Sequence, residues 1–430
     1  MDFTFFDHEI ETLPTEQLRA LQGAKLATLV EQTYLSNPVV TAKLDSFGAV
    51  ADDVRTLEDL AGLPFTTKAD LADAQTHGVF SANCTFPETS YTRFHQTSGT
   101  TGEPLRVFDT DQCWDWWGRC WATVLAGAGL TSADRLFLPF SFGPFIGFWS
   151  ALGGAENIGA LVIPGGGRNS VQRLHLMADL GVTAMCCTPT YGLRLIEVAR
   201  EEGIDLADMS LRLMVLAGEP GGSIPATKAR LEGAWGAKCY DHAGLSEVGA
   251  HSFECEAQSG ATHAIDSEFI VEVIEPGSDQ PVQAGQPGEL VITNLGRIGF
   301  PVIRYRTGDI VRVDESPCPC GRTFTRFSGG IIGRADDMVV VRGVNIFPAA
   351  VEGLLRRHQT VDEYRVTITH PGALAEILVE IECCGEPGCT TADRVNADFG
   401  DVLGLRPTVT AVPRGTLPRF ELKARRFFVE

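Results

Sequence analysis

The chain has 430 residues, more than one hydrophobic core accommodates, so two or three domains are expected. A net charge of −20 argues against a nucleic-acid or anionic-membrane partner, and any bound phosphate has to be held by local donors or a metal cation. There is no apolar run of membrane-span length and no basic, apolar leader, so the twelve cysteines read as thiols or metal ligands of a reducing cytoplasm rather than as disulfides.

In chain order, Leu13, Leu18, Leu21, Leu26, Leu29 and Val30 recur at helical spacing and predict a helical lead-in over 8–35. The stretch Gln96-Thr97-Ser98-Gly99-Thr100-Thr101-Gly102-Glu103-Pro104 cannot fill a core. Its hydroxyls and backbone N–H groups suit phosphate oxygens, yet it lacks the Gly-Lys-Ser/Thr of a P-loop, and the plainer alternative is a polar surface turn. Between 91 and 245, short apolar strands (135–138, 160–163, 184–187, 211–216) alternate with helices at 171–180 and 193–202 that stop at Gly181 and Gly203. That rhythm predicts a mostly parallel sheet with ligands beyond the strand ends, at loops 139–147, 188–192 and 217–222. Short strands with Pro-Gly turns over 265–313 predict a smaller β-rich unit. After Gly333 a new set begins: strands at 338–342, 364–369, 376–383 and 408–412, and helices at 349–358 and 390–403. The fold class is therefore α/β. A large N-terminal domain, residues 1–333, has parallel-rich sheets flanked by helices plus a β-rich subdomain, and residues 334–430 form a small mobile α+β domain.

Four motifs stand in order at long spacing: Thr97-Ser98-Gly99-Thr100-Thr101-Gly102; Asp241-His242-Ala243-Gly244-Leu245-Ser246-Glu247; Tyr305-Arg306-Thr307-Gly308-Asp309; and Ile332-Gly333-Arg334-Ala335-Asp336-Asp337-Met338 with Arg342-Gly343-Val344-Asn345-Ile346-Phe347-Pro348. Together they resemble the adenylate-forming acyl/aryl-CoA ligases, and within them the phenylacetate–CoA ligase branch. The resemblance implies ATP and Mg2+ as cofactors, a small-molecule carboxylic acid as substrate, and coenzyme A as acceptor. A carrier protein or an amine is the alternative acceptor, and a non-catalytic nucleotide sensor the alternative class. A homodimer is compatible with it.

By residue, the resemblance implies that Ser98, Gly99, Thr100, Thr101 and Gly102 hold phosphate and that Glu247 holds magnesium, for which a hard oxygen ligand is needed. Glu247 read alone would be a helix-start carboxylate after Ser246. Asp309 accepts from ribose hydroxyls, or else caps its turn. Asp241, with His242 and Ala243, meets the adenine, against a wall of Gly218, Glu219 and Pro220. Arg334 is a rigid donor fork for phosphate or ribose, Asp336 the hinge, and Gly343 the border of a pantetheine tunnel. Lys423 is the cation that swings onto the α-phosphate, although beside Arg425 and Arg426 it also fits a solvated basic tail. Phe140, Ser141, Phe142, Gly143 and Tyr191 are candidates for the acyl pocket.

Two positions depart from the family pattern. Glu103 replaces a lysine in the phosphate loop, and Leu422 replaces the glycine before the catalytic lysine. Separately, Cys318-Pro319-Cys320 with Cys255 and either His263 or His251 makes the ligand set of a closed, structural zinc site, the alternative being unliganded thiols. No Gly-x-Ser-x-Gly nucleophile elbow and no dinucleotide fingerprint is present.

Overall fold

The structure is a computed structural model that describes residues 3–75, 78–97, 104–283, 285–342, 344–369, 375–383, 391–421 and 423–430, the side chain of Asn345 excepted. The chain opens with α1 (His8–Glu11), α2 (Thr15–Thr33), α3 (Pro38–Phe47), α4 (Leu57–Gly62) and α5 (Lys68–Asp73). The α2 stripe Leu18, Gln22, Leu26, Leu29 and Val30 is buried, and Gln22 Nε2 donates to the carbonyls of Asp266 and Phe269, tying the lead-in to the main sheet. A hairpin of β1 (Tyr91–Gln96) and β2 (Arg106–Thr110) runs into α6 (Asp111–Gly127). Helix α6 carries Trp116, Trp117 and Trp121 and is buried along most of its length, with its exposed residues Asp111, Gln112, Asp115 and Arg119 on one face of its first half.

There follow β3 (Arg135–Leu138), α7 (Trp149–Ile158), β4 (Leu161–Pro164), α8 (Ser170–Asp179), β5 (Ala184–Cys187), α9 (Pro189–Glu202), β6 (Leu213–Leu216), α10 (Pro225–Trp235) and β7 (Lys238–Leu245). These are the expected βα units, and β4, β3, β5, β6 and β7 pair in parallel. Helix α7 packs against α6 at close range, because a Cβ on Gly154 would stand 2.6 Å from Trp121 Cβ. The β-rich part comprises β8 (Gly249–Glu254), β9 (Ala261–Ala264), β10 (Phe269–Ile274), β11 (Pro287–Asn294), β12 (Tyr305–Asp314), β13 (Arg326–Ser328) and β14 (Gly333–Arg334). It shares one sheet with the parallel strands, in the order β10-β11-β12-β13-β9-β8-β7-β6-β5-β3-β4, because β8 folds back antiparallel on the free edge of β7.

The last part has its own core, built on Val341, Ile346, Val351, Leu354, Val366, Val379, Val395 and Phe399. It contains the hairpin β15 (Val339–Val341) and β16 (Val344–Ile346), then α11 (Pro348–Arg356), β17 (Val361–Thr369), β18 (Glu376–Cys383), α12 (Thr391–Leu403), β19 (Thr408–Val412) and β20 (Phe427–Val429). Its sheet runs β19-β18-β17-β20, so the chain must cross from one edge to the other between β19 and β20. That crossing segment carries Lys423 back toward the large sheet.

Candidate active site

The strand β12 sets the floor. Its inward residues alternate with period two: Tyr305, Thr307 and Asp309 are buried on one side. The Tyr305 hydroxyl donates to Glu247 Oε1 at 2.8 Å, fixing a carboxylate that stands in the turn between β7 and β8. The second Glu247 oxygen has no hydrogen bond among the described residues, which fits a carboxylate that gives one oxygen to a hard cation. Arg297, fully buried, donates to the Ser246 carbonyl at 2.8 Å and to both oxygens of Asp109 at 2.7 Å, and so holds the same turn from behind.

Asp309 lies opposite Arg334 in the β12–β14 ladder, and Arg334 Nη1 donates to Asp309 Oδ1 at 3.0 Å. The same guanidinium holds both oxygens of Asp336, at 2.9 and 3.0 Å. Burial raises the Asp309 carboxyl to about 6, against the pull of Arg334, and the Glu247 charge adds to the rise. Asp241, in the middle of β7, is raised to about 7 by burial and then by Glu254, whose Oε2 accepts from the Asp241 N–H at 2.8 Å. Its carboxylate occupies the space of a missing side chain: a Cβ on Gly222 would lie 2.2 Å from Oδ1. His242 donates from Nδ1 to the Ser252 carbonyl at 2.7 Å, and burial lowers its pKa to about 4, so the ring is neutral.

Lys423 enters from the other side. Its Nζ lies 5.3 Å from the Phe145 ring centroid, and a Cβ on Gly218, where φ is +93°, would meet its Cε at 3.4 Å. The Lys423 side chain keeps substantial solvent exposure, yet the protein around it partly desolvates the ammonium and lowers its pKa, whereas Glu219, Asp309 and Glu247 favour the charged form and Arg334 opposes it. Lys423 therefore shares one electrostatic site with Glu247, Asp309 and Arg334, which come from three other segments of the chain. Arg426, which the alternative reading places in a solvated tail, is buried: Nη2 donates to Glu363 at 2.9 Å and Nη1 to Thr190 Oγ1 at 3.0 Å.

Beyond the strand ends an aromatic row runs from Trp121 through Phe148, Phe140 and Phe142 to Trp149, with successive centroids 5.7, 5.1, 5.2 and 4.4 Å apart. Ser141 Oγ accepts from the Gly167 N–H, and the Gly143 carbonyl accepts from Trp149 Nε1, so the loop is fixed through its own polar groups. Tyr191 lies elsewhere. It is buried in the core between α8 and α9, and its hydroxyl is held by Arg173 at 2.7 Å and Ser170 at 3.1 Å. The phosphate-loop residues Ser98, Gly99, Thr100, Thr101 and Gly102, and also Gly343, lie outside the described residues. The flanking residues Thr97 and Leu105 are joined by two hydrogen bonds, of 3.0 and 2.9 Å.

Cys255, His263, Cys318 and Cys320 converge, all buried, with their ligand atoms within 4.8 Å of one another. The Cys255–Cys318 sulfurs and the Cys320 Sγ–His263 Nε2 pair are each 3.6 Å apart. A tetrahedral zinc site has S–S edges of about 3.8 Å and S–N edges of about 3.6 Å. His263 Nδ1 faces the Phe324 carbonyl at 3.4 Å, which leaves Nε2 as the ligand atom. His251 is not in the group: it is fully buried near Phe269. Burial alone does not separate the two histidines, and only the β8–β9 and β9–β13 pairings bring His263 to the thiols.

Several residues of the site carried no signal by motif. Tyr305 stands inside a recognised motif, and the strand alternation with Asp309 could have assigned it. Arg297, Thr190 and the α6 tryptophans are brought in only by long-range packing.

These two lobes, with a polar floor of buried carboxylates and a lysine delivered by the smaller lobe, define an adenylate-forming enzyme. The AMP-binding enzyme family profile matches residues 38–296, and the AMP-binding enzyme C-terminal domain matches residues 343–430. The chain is similar to the phenylacetate–coenzyme A ligase of Thermus thermophilus, 34% identical over 97% of both chains. It is 32% identical to the Escherichia coli enzyme of that name, covering 97% of this chain and 96% of that one. The chain belongs to the AMP-binding enzyme family, in its phenylacetate–CoA ligase branch. Among solved structures, a 2-hydroxyisobutyryl-CoA ligase in the postadenylation state matches with a TM-score of 0.93 at 28% identity, covering 98% of this chain and 91% of that one. The same ligase in its thioesterification state matches at only 0.74, with 29% identity and the same coverage. The lobes here are thus arranged as that ligase arranges them after adenylation. No described helix is long and apolar enough to cross a membrane.

Proposed function

We propose that within the family reaction, ATP-dependent acid activation followed by transfer to coenzyme A, this chain activates an aryl carboxylate through a fixed floor and a movable cation. The carboxylate oxygen attacks the α-phosphorus of ATP, the bond to the bridging oxygen breaks, and pyrophosphate leaves. The thiol of coenzyme A, losing its proton, then attacks the acyl carbon and AMP leaves. Both partners of the first step are anionic, so catalysis is chiefly positioning and charge compensation. Lys423 supplies the mobile charge, and Ser98, Gly99, Thr100, Thr101 and Gly102 supply donors to phosphate. Glu247 would hold Mg2+, which screens the phosphates when bound. Asp309 and Arg334 take the ribose, Asp241 accepts from the adenine amino group, and Gly218 and Pro220 flank the base. Asp336 is the hinge at the 333/334 boundary, and Gly343 borders the pantetheine path.

The observation that supports this reading is that Lys423, placed beside Gly218 and Phe145, lies within electrostatic reach of Glu247, Asp309 and Arg334. The aromatic row supports an aryl acid. The Cys255, His263, Cys318 and Cys320 distances support a structural zinc, and the free buried cysteines support a reducing, cytoplasmic setting. The test is pyrophosphate release with a panel including phenylacetate, benzoate and 2-hydroxyisobutyrate, with and without coenzyme A. Turnover with aryl acids and thioester formation is expected. Preference for the short hydroxy acid would overturn the aryl assignment. Adenylate formation without consumption of coenzyme A would redirect the acyl group to a carrier protein or an amine.

A further inference from the structure

Sequence order places Glu219 in the adenine wall, but its carboxylate is engaged in another direction. Oε1 accepts from the Thr190 N–H at 2.8 Å, and Oε2 accepts from the Ala424 N–H at 2.9 Å. Thr190 sits in the first turn of α9, whose N–H groups have no partner within the helix and favour an anion. Ala424 is one peptide from Lys423. A single carboxylate thus bridges the rigid N-terminus of a helix in the large lobe and the amide beside the lysine of the small lobe.

We infer that Glu219 is a positioning residue: a strut that sets the Lys423 backbone for the adenylation step and is released when the lobes rotate. This rests on the functional reading above. The chemistry explains why the residue is acidic. Two N–H donors converge on two separate oxygens, and only a carboxylate offers an acceptor to each. A glutamine would place its NH2 group against one of the two donors. When the tail withdraws, Glu219 keeps the Thr190 N–H and gains water, so little opposes release. Thr190 adds a second tie to the same segment, since its hydroxyl accepts from Arg426. The Gly218 backbone leaves room for the lysine stem, so the strut and the passage of the side chain come from adjacent residues.

The test uses the whole protein and the variants Glu219→Gln and Glu219→Ala. Hydrogen exchange is read at amides 423–426 without ligands. Acyl-adenylate formation is read from phenylacetate and ATP, and thioester formation from supplied phenylacetyl-adenylate and coenzyme A. Both variants should exchange the 423–426 amides at least about tenfold faster and lose about tenfold or more in adenylation. Thioester formation and ATP affinity should stay within about twofold. Unchanged exchange at 423–426, or equal loss in both half-reactions, would overturn the strut. A loss of ATP affinity with unchanged exchange would return Glu219 to the adenine wall. If the parent protein makes no adenylate from phenylacetate, the aryl reading falls, and the exchange measurement still decides the strut.

Discussion

The floor of the site and the tail that reaches it are held by different kinds of contact. On the floor Glu247 is held by Tyr305 and Asp109 by Arg297, the latter pair entirely shielded from solvent, while Asp309 is paired across the 333/334 boundary with Arg334. Breaking such buried pairs leaves an uncompensated charge, so the floor cannot shift piecemeal. The small lobe is held mainly by pairs along its seam with α9 and α10: Arg419 with Glu197 at 3.1 Å, Arg230 with Asp362 at 3.1 Å, and Arg414 with Glu201 at 3.4 Å. The outermost of these is half exposed on both sides and contributes well under about 1 kcal/mol. The other two seam pairs are largely buried, with side-chain exposures of 22% and 8% and of 16% and 1%, so the seam combines a screened pair at its rim with shielded ones inside.

The comparison breaks most directly at Lys423. Lys423→Ala should lower the adenylation rate by about a hundredfold or more while ATP affinity stays within about tenfold. Pyrophosphate burst kinetics and calorimetry would check it, and full adenylation would remove the mobile cation from the scheme. The large lobe is tested next by metal. The protein should carry close to one zinc per chain, and Cys318→Ser should lose it and lower Tm by more than about 5 °C. A metal-free parent with an unchanged Tm after chelation would show the four ligand groups to be plain thiols and imidazole.

Asp309 gives a smaller effect with a definite sign. Its folded pKa is raised to about 6, and only the ionised form can accept two ribose hydroxyls. ATP affinity should therefore be level above that pH and fall by up to about tenfold per unit below it. Stability runs the other way. Burial of the protonated groups contributes stability below about pH 4 that is lost as pH rises through about 6 for Asp309 and about 7 for Asp241. Asp309→Asn should flatten its share of both profiles, read by titration calorimetry and thermal melts across pH. Smallest of all, Arg414→Ala should change either half-reaction by less than about twofold, because the pair is solvent-screened. A large effect would mean that the seam is less exchangeable than its exposure suggests.

Much of this was legible in residue order. The strands at 135–138, 184–187, 376–383 and 408–412 fall where apolar runs bounded by turn residues place them. Helix α6 and the β1–β2 hairpin before it are not among the elements expected from residue order, although α6 keeps Asp111, Gln112, Asp115 and Arg119 exposed on one face. Tyr191 reads as a pocket wall by its place after a strand end, yet its hydroxyl is held by Ser170 and Arg173 in a core.

Local sequence therefore determined the elements, the motif order, the family and the identity of the ionisable groups, because these depend on neighbours a few residues apart. Tertiary structure decided which groups meet. It chose His263 over His251 for the thiols, buried Arg426 rather than leaving it in solvent, and set Glu219 between Thr190 and Ala424. The reason is physical: hydrogen bonds and Coulomb forces act over a few ångströms of space, and the sheet pairings that bring distant residues within that range involve the whole chain.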